Sequence, residues 1–128
     1  MNPERLNLQV ISPDGRSLQV QDVDAVIVRR KERRFEQGSE VAIFPLHAPT
    51  LIRIAVAPLR YQKGGRTEYV VTGGGFVEVK GNQVLVVTPR FEEIGPDEPD
   101  PSKKTKHRAA QWLREQTEFQ KEIVGYLR

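Results

Sequence analysis

The chain has 128 residues, a length that fits one ordinary domain with a small appendage. It contains no cysteine and only two histidines, His47 and His107. Disulfides, thiolate metal sites and cysteine nucleophiles are therefore excluded, and a histidine-built metal centre is disfavoured. The formal net charge of +3 suits an acidic protein, a nucleic-acid backbone or an anionic membrane surface, and it does not discriminate among these partners.

The sequence shows no membrane-spanning or secretory signal. No apolar run approaches the ~20 residues that a bilayer-spanning helix needs. Residues 1–5 lack the basic start and apolar stretch of a signal peptide. We therefore expect a soluble cytoplasmic chain without a targeting peptide, whose membrane association is indirect and runs through a partner.

Residues 1–90 are predicted to form a β-rich domain. Apolar residues alternate with polar ones or form β-branched runs, and turn residues such as Pro13, Gly15, Gly64 and Gly81 separate these segments. The predicted strands cover residues 6–10, 18–20, 23–28, 41–44, 51–56, 59–63, 67–72, 76–79 and 84–87. Eight or more short strands with regular turns predict a mainly β, antiparallel sandwich or barrel.

Two further segments follow the predicted β-domain. Prolines interleaved with carboxylates over residues 91–102 predict an extended, solvated acidic linker. Residues 103–128 are predicted to form a C-terminal helix, with Asp100 as N-cap and Pro101 suited to the first helical position. Its apolar side chains recur at spacings of three and four, so they form one interaction face that packs on the sandwich or on a partner helix. The side chains assigned to this face are Trp112, Leu113, Phe119 and Ile123.

Two segments, the turn at His47 and the glycines at residues 73–75, are candidate chemical sites. His47 lies between Pro45 and Pro49 with no adjacent serine or aspartate, so a stiff turn or docking element is favoured over catalysis. The glycines at residues 73–75 lack the Lys-Ser/Thr pair and the following helix of a phosphate-binding loop. They predict a bulge or a close approach between backbones instead.

A basic segment interrupts the strands, and it consists of Arg29, Arg30, Lys31, Arg33 and Arg34 around one glutamate. A solvated loop is the simplest interpretation; nucleic acid, lipid headgroups or an acidic partner surface are the alternatives. Nucleic-acid binding also calls for exposed aromatic side chains, whereas Tyr61, Tyr69 and Phe76 fall in core-like alternation. The residues therefore indicate a β-rich binding or coupling module without an active site or cofactor. A free-standing basic β-barrel that binds nucleic acid is the alternative, and a small enzyme is disfavoured.

Several segments together resemble a known family. They are residues 6–10, 24–28, 45–49, 59–61, 74–79 and 84–87. In this order they resemble the N-terminal sandwich of the epsilon subunit of F-type ATP synthases, over about residues 5–89. The resemblance implies an antiparallel β-sandwich of about ten strands followed by a helical C-terminal part.

The resemblance also implies a function. It implies a non-catalytic central-stalk subunit that links the gamma subunit to the membrane c-ring and couples ATP synthesis or hydrolysis to proton or sodium transport. Such a subunit is peripheral to the cytoplasmic face of the inner, or plasma, membrane of a bacterium. The C-terminal helix is then a contact for the alpha and beta subunits, and nucleic acid is not a partner.

The resemblance further implies which residues contact the rotor. Contacts with the ring or gamma fall on Glu40, Pro45, His47, Ala48 and Pro49. The basic segment is expected near the same end, where it would reach the ring or lipid headgroups.

Four features depart from the family pattern. Leu46 replaces the usual glycine, so the turn must differ or bulge. The stretch between Val28 and Pro45 is several residues longer than usual. A single C-terminal helix replaces a two-helix hairpin, and the motif with which some members bind regulatory ATP has no match. These departures suggest a divergent branch, such as the alternative, sodium-type ATPases.

Overall fold

The computed structural model describes residues 5–32, 37–95 and 97–126. Eight strands and one helix make up this part of the chain. They are β1 (Leu6–Ile11), β2 (Ser17–Val23), β3 (Ala25–Lys31), β4 (Gln37–Ile43), β5 (Thr50–Lys63), β6 (Arg66–Lys80), β7 (Gln83–Val87), β8 (Phe91–Glu93) and α1 (Pro101–Tyr126). This confirms the predicted mainly β sandwich with one C-terminal helix.

The strands are paired in the order β2-β1-β7-β6-β5-β3-β4, with β8 added to β6. Neighbours are antiparallel except β1 and β7, which are parallel, with Leu8 beside Val84 and Val10 beside Val86. These two strands are far apart in sequence, so no hairpin turn constrains their relative direction. One buried apolar cluster lies between the layers and draws side chains from strands of both, such as Leu6, Val26 and Val77.

The two longest strands, β5 and β6, run through both layers. The sequence predicted a break in each, but β5 is continuous over 14 residues and β6 over 15. The buried side of β5 changes phase along the strand, because Ile52 and Ile54 enter the core on one side of the bend and Leu59 and Tyr61 on the other. If the halves of each long strand are counted separately, the eight strands become about ten, as the resemblance implies.

Glycines at residues 73–75 make this bend possible. Gly74 and Gly75 have positive φ angles of 84° and 113°, a region that side chains with a Cβ rarely enter. A Cβ on Gly75 would lie 2.0 Å from the carbonyl oxygen of Val87 in β7. The predicted close approach between backbones is therefore confirmed.

The stretch predicted as a linker is largely docked. Phe91–Glu93 forms β8 against Val70–Thr72 of β6, and Ile94 is buried. The carboxylates of Glu92 and Glu98 are paired with Arg108 and Lys104, each at 3.2 Å, so they are not a set of solvated, mutually repelling charges. The sequence missed this because alternation and composition do not show which helix cation each carboxylate will meet, and Arg108 lies 16 residues beyond Glu92.

The helix begins at Pro101, two residues earlier than predicted, and Asp100 caps it. The Lys103 amide donates to the Asp100 carboxylate at 3.1 Å, as expected for an N-cap. Ala109 and Trp112 then pack on Val71 and Ile94 at the outer surface of the sandwich. No helix in the described part of the chain is long and apolar enough to cross a membrane.

We predict that Gly75→Ala destabilises the fold strongly, because the new methyl group would collide with the Val87 backbone. Chemical denaturation should show a loss of about 3 kcal/mol or more in the free energy of unfolding. Gly15→Ala is the matched control, since Gly15 also has positive φ but open space around its Cβ position. That control should cost only about 1–2 kcal/mol, and equal losses in the two variants would contradict the close-approach explanation.

Candidate functional site

The turn over residues 44–49 forms an exposed apolar tip at one end of the sandwich. Phe44 and Leu46 are 56% and 82% exposed, the latter the highest value among the large apolar side chains of the described residues. Leu46 has a positive φ of 65°, which shows how the backbone accommodates a leucine where the family usually has glycine. The left-handed backbone of Leu46 has a free-energy cost, and so does the exposure of its apolar side chain to water. The tip is therefore better explained by a role in docking than by a contribution to stability.

Asn82 holds this tip in place. The Leu46 amide donates to the Asn82 side-chain oxygen at 2.7 Å, and the His47 amide closes the turn by donating to the Phe44 carbonyl at 3.2 Å. The Asn82 carbonyl in turn accepts from the Asn7 amide at 2.9 Å. One residue of the β6–β7 turn therefore ties the tip to the start of β1.

His47 has local partners only. Its Nδ1 lies 2.9 Å from the Ala48 carbonyl and so donates to it. No ion pair of His47 with a carboxylate occurs among the described residues. Its neighbours Pro45, Ala48 and Pro49 lie in the same turn. This arrangement fits a shaped docking loop and offers no activated nucleophile or general base.

We predict that the Asn82 side chain orders the tip. Asn82→Gly keeps the positive φ but removes the acceptor, so the Leu46 amide should exchange with solvent faster, in line with the loss of a hydrogen bond that stabilises by about 0.5–1.5 kcal/mol. Asn82→Asp keeps an acceptor oxygen and should preserve slow exchange. Hydrogen exchange followed by NMR checks this, and unchanged protection in Asn82→Gly would refute the tie.

A second apolar surface covers the outer face of the β5–β6–β7–β1 layer. Phe76 stands opposite Val87, and Val87 stands beside Ile11 in the parallel register. Phe76 and Val87 are 48% and 43% exposed. The prediction that Phe76 belongs to the core alternation is wrong. Val77 and Val79 set the buried phase, so Phe76 has to face outward, and this signal was present in the sequence.

Glu40 does not lie in the tip. It sits within β4 opposite Arg29, and its carboxylate pairs with Arg29 at 3.7 Å and with Arg60. Arg29 also donates to the Gly38 carbonyl at 3.1 Å. Two guanidinium groups from neighbouring strands therefore occupy the carboxylate, and this cluster braces the β3–β4–β5 layer.

The described part of the basic segment, residues 29–31, lies at the other end of β4 from the tip. β4 joins the two, and its seven residues span about 20 Å. Arg30 and Lys31 are at the end of β3, whereas Arg33 and Arg34 lie outside the described residues. The basic segment and the His47 turn therefore cannot form one patch, contrary to the expectation that both lie toward the same end.

The face of the helix divides into a docked and an exposed part. Trp112 is buried, with the Arg90 guanidinium 4.1 Å from its ring. Arg90 also bonds Glu115 at 2.8 Å, and this hydrogen bond holds the pKa of Glu115 below its ordinary value. Leu113 is exposed, as is Phe119 at 62%; the side chain of Ile123 lies outside the described residues. The helix thus packs down through its first half and presents apolar side chains in its second.

We predict that acid loosens the helix through Glu115. Its lowered pKa means that the Arg90 bond stabilises docking fully above the ordinary pKa of 4.5 and loses this contribution as pH falls through the lowered folded value. Trp112 is the only tryptophan, so its fluorescence reports on the contact with Arg90. Wild type should change below about pH 4.5, and Glu115→Gln should lack that step. Superimposable curves would contradict the prediction.

The features that stand out among the described residues are exposed surfaces. They contain no group of three or more histidine, cysteine or carboxylate side chains that could hold a metal ion. A stiff sandwich carries an apolar tip, an apolar sheet face and a half-docked helix. These features define a β-sandwich protein with exposed apolar surfaces and one C-terminal helix.

Comparisons with known proteins agree with this class. Residues 5–94 match the family described as "ATP synthase, Delta/Epsilon chain, beta-sandwich domain". An ATP synthase epsilon chain of Carboxydothermus hydrogenoformans is 36% identical over 71% of this chain and 65% of its own length. One from Bacillus cytotoxicus is 30% identical over 84% of this chain and 76% of its own. The chain therefore belongs to the ATP synthase delta/epsilon chain family.

Solved structures share the fold at low identity. A chain of the Euglena gracilis mitochondrial ATP synthase matches 87% of this chain with a TM-score of 0.63 and 19% identity, over 76% of its own length. A chain from the central stalk and c-ring of the Tetrahymena thermophila mitochondrial enzyme matches 91% with a TM-score of 0.57 and 11% identity, over 93% of its length. The relatives support the epsilon interpretation and not the alternative of a nucleic-acid-binding barrel.

Proposed function

We propose that this chain is a non-catalytic central-stalk subunit of an F-type ATP synthase, bridging the gamma subunit and the c-ring. Its family and its epsilon-chain relatives support this role. The subunit would turn with the stalk and transmit torque, so that ATP synthesis or hydrolysis is coupled to the transport of protons or sodium ions. It would lie peripherally at the cytoplasmic face of the plasma membrane.

The observation that carries the proposal is the placement of exposed apolar side chains on two separate surfaces. Exposed apolar patches on a folded domain mark interaction sites. Leu46 and Phe44 form the tip at one end, whereas Phe76 and Val87 lie on the side of one layer, beside the half-buried Ile11. A body inserted between two partners needs such an arrangement. We assign the tip, with Pro45, His47 and its neighbours, to the c-ring and the sheet face to gamma.

The continuous strands β5 and β6 make the body between these surfaces stiff. Their pairing extends from Thr50 with Val79 to Lys63 with Arg66. Bending one layer against the other would therefore disturb hydrogen bonds along both strands. The loss of each hydrogen bond has a free-energy cost. The two surfaces are thus held at a fixed mutual orientation, which is what torque transmission requires.

The basic segment and the second half of α1 share the end away from the tip. Lys31 and Gln120 line the same groove, so these two features are neighbours. We assign both to the alpha and beta subunits, with Arg30 facing acidic side chains and Phe119 covered by apolar ones. Arg33 and Arg34 continue the same basic segment in the sequence. This replaces the expectation that the basic segment meets the ring or lipid headgroups.

We predict that charged substitutions separate the two rotor contacts. Leu46→Asp should weaken binding to the c-ring and Val87→Asp binding to gamma, each by about tenfold or more, because a carboxylate would be buried in an apolar interface. Surface-immobilised chain titrated separately with the gamma subunit and the detergent-solubilised c-ring of the same synthase measures both affinities. Phe119→Ser is the control and should leave both unchanged.

Each outcome has a defined meaning. Selective losses support the bridge, provided that circular dichroism shows intact folding. If both substitutions leave both affinities within twofold of wild type, neither surface is a rotor contact and the proposal fails.

A further inference from the structure

A groove lies between the second half of α1 and the bend of β5 and β6. The helix is anchored through Ala109 and Trp112, and beyond these residues it passes over the glycines at residues 73–75. The glycines form part of its wall, and the cavity has a volume of about 340 Å³. This volume lies within the range of about 300–1,000 Å³ that is typical of small-molecule sites.

The walls of the groove combine apolar surface with positive charge. Phe76 and Leu113 supply apolar walls, and Lys31 and Arg53 supply two cations. Arg53 stands directly opposite Phe76 across β5 and β6, so the two residues share one face of the sheet. No carboxylate lines the groove in the described part of the chain, and neither cation forms an ion pair with a described residue.

The two cations without ion-pair partners and the apolar walls together indicate which class of ligand the groove can bind. The two charges favour an anion, while the aromatic and aliphatic walls favour a hydrophobic body. Gln116 and Gln120 of the helix add amide groups at the rim. The size argues for a compact molecule, because a partner helix with its side chains is about 10 Å across and needs a longer channel.

We propose that this groove binds a small amphiphilic anion, with an aromatic or branched aliphatic body between Phe76 and Leu113 and a carboxylate or sulfonate held by Arg53 and Lys31. The ligand would touch both α1 and the bend of the sandwich. Occupancy would therefore join the second half of the helix to the sheet. The site adjoins the proposed gamma contact, because Phe76 also belongs to the sheet face assigned to gamma, but it does not include the tip assigned to the c-ring.

Two fluorescent probes of nearly equal shape test the charge requirement. 8-Anilinonaphthalene-1-sulfonate carries an anionic group, and N-phenyl-1-naphthylamine is its neutral counterpart. Titrated into the full chain, the sulfonate should bind at least about fivefold more tightly than the amine, since only it gains the charge-assisted contacts. NMR should place it by shifts in the amides of residues 73–75.

Matched variants test the location. Arg53→Gln removes a cation from the groove and Gln120→Glu adds a carboxylate to it, so each should weaken sulfonate binding about fivefold or more. Arg66→Gln and Ala110→Glu make the same charge changes at exposed positions that do not line the groove. These controls should bind within twofold of wild type, and neither groove variant replaces a buried residue.

Several results would overturn the proposal. Equal affinity for the two probes would mean that the cations do not select the ligand. Equal losses in groove and control variants would indicate a general charge effect. If the sulfonate leaves the amides of residues 73–75 unshifted while the purified gamma subunit shifts them, the groove is a seat for protein and not for a small anion.

Discussion

The contact between the Gly75 backbone and the Val87 carbonyl is the constraint on which the rest of the structure depends. It lets β6 lie against β7 where the strand passes from one layer to the other. Without a Cβ at this position, β5 and β6 can bend together and remain paired on both sides of the bend. The groove beneath α1 lies at the same bend and has these glycines in its wall. This backbone contact therefore supports the stiffness of the sandwich at the place where the groove is found.

Because the sandwich is stiff, its exposed apolar surfaces keep a fixed orientation relative to each other. The tip at Leu46 and the sheet face at Val87 belong to a body whose layers share two continuous strands. The tip itself is held by the hydrogen bond from the Leu46 amide to the Asn82 side chain and by its own His47–Phe44 backbone bond, and not by burial. A leucine in a left-handed conformation is tolerated there because Asn82, in the neighbouring β6–β7 turn, accepts a hydrogen bond from the Leu46 amide. Such preorganisation reduces the entropy lost on docking.

The sequence predicted local structure better than long-range pairing. The strand segments, the capping by Asp100 and the close approach at the glycines follow from alternation, cap chemistry and glycine placement, all of which act over a few residues. The continuity of β5 and β6 did not follow, because Pro58 and the glycines are typical of strand breaks, whereas cross-strand pairing keeps the strands intact. The ion pairs of Glu92 and Glu98 also depend on residues that only the fold brings near.

For the candidate surfaces, too, the sequence predicted local features better than those that depend on long-range pairing. The turn around His47 was predicted as a docking element from its two prolines, whereas Phe76 was placed in the wrong phase although Val77 and Val79 define it. Glu40 and the basic segment were expected near the tip. The pairing of β3 with β4 instead braces Glu40 between two arginines and carries the basic segment to the far end. The positions of Glu40 and the basic segment depend on the pairing register of β3 with β4. Sequence patterns specify that register only weakly when the loop between the strands is longer than usual.

The central claim is that one rigid sandwich holds the ring contact and the gamma contact on different surfaces. Because the chain has no cysteine, single cysteines at Leu46 and Val87 can be cross-linked in the assembled synthase without background. Leu46→Cys should yield a product with a c-ring subunit and Val87→Cys a product with gamma, each identified by mass spectrometry. Cross-linking of both positions to the same subunit, or of neither to a rotor subunit, would contradict the claim.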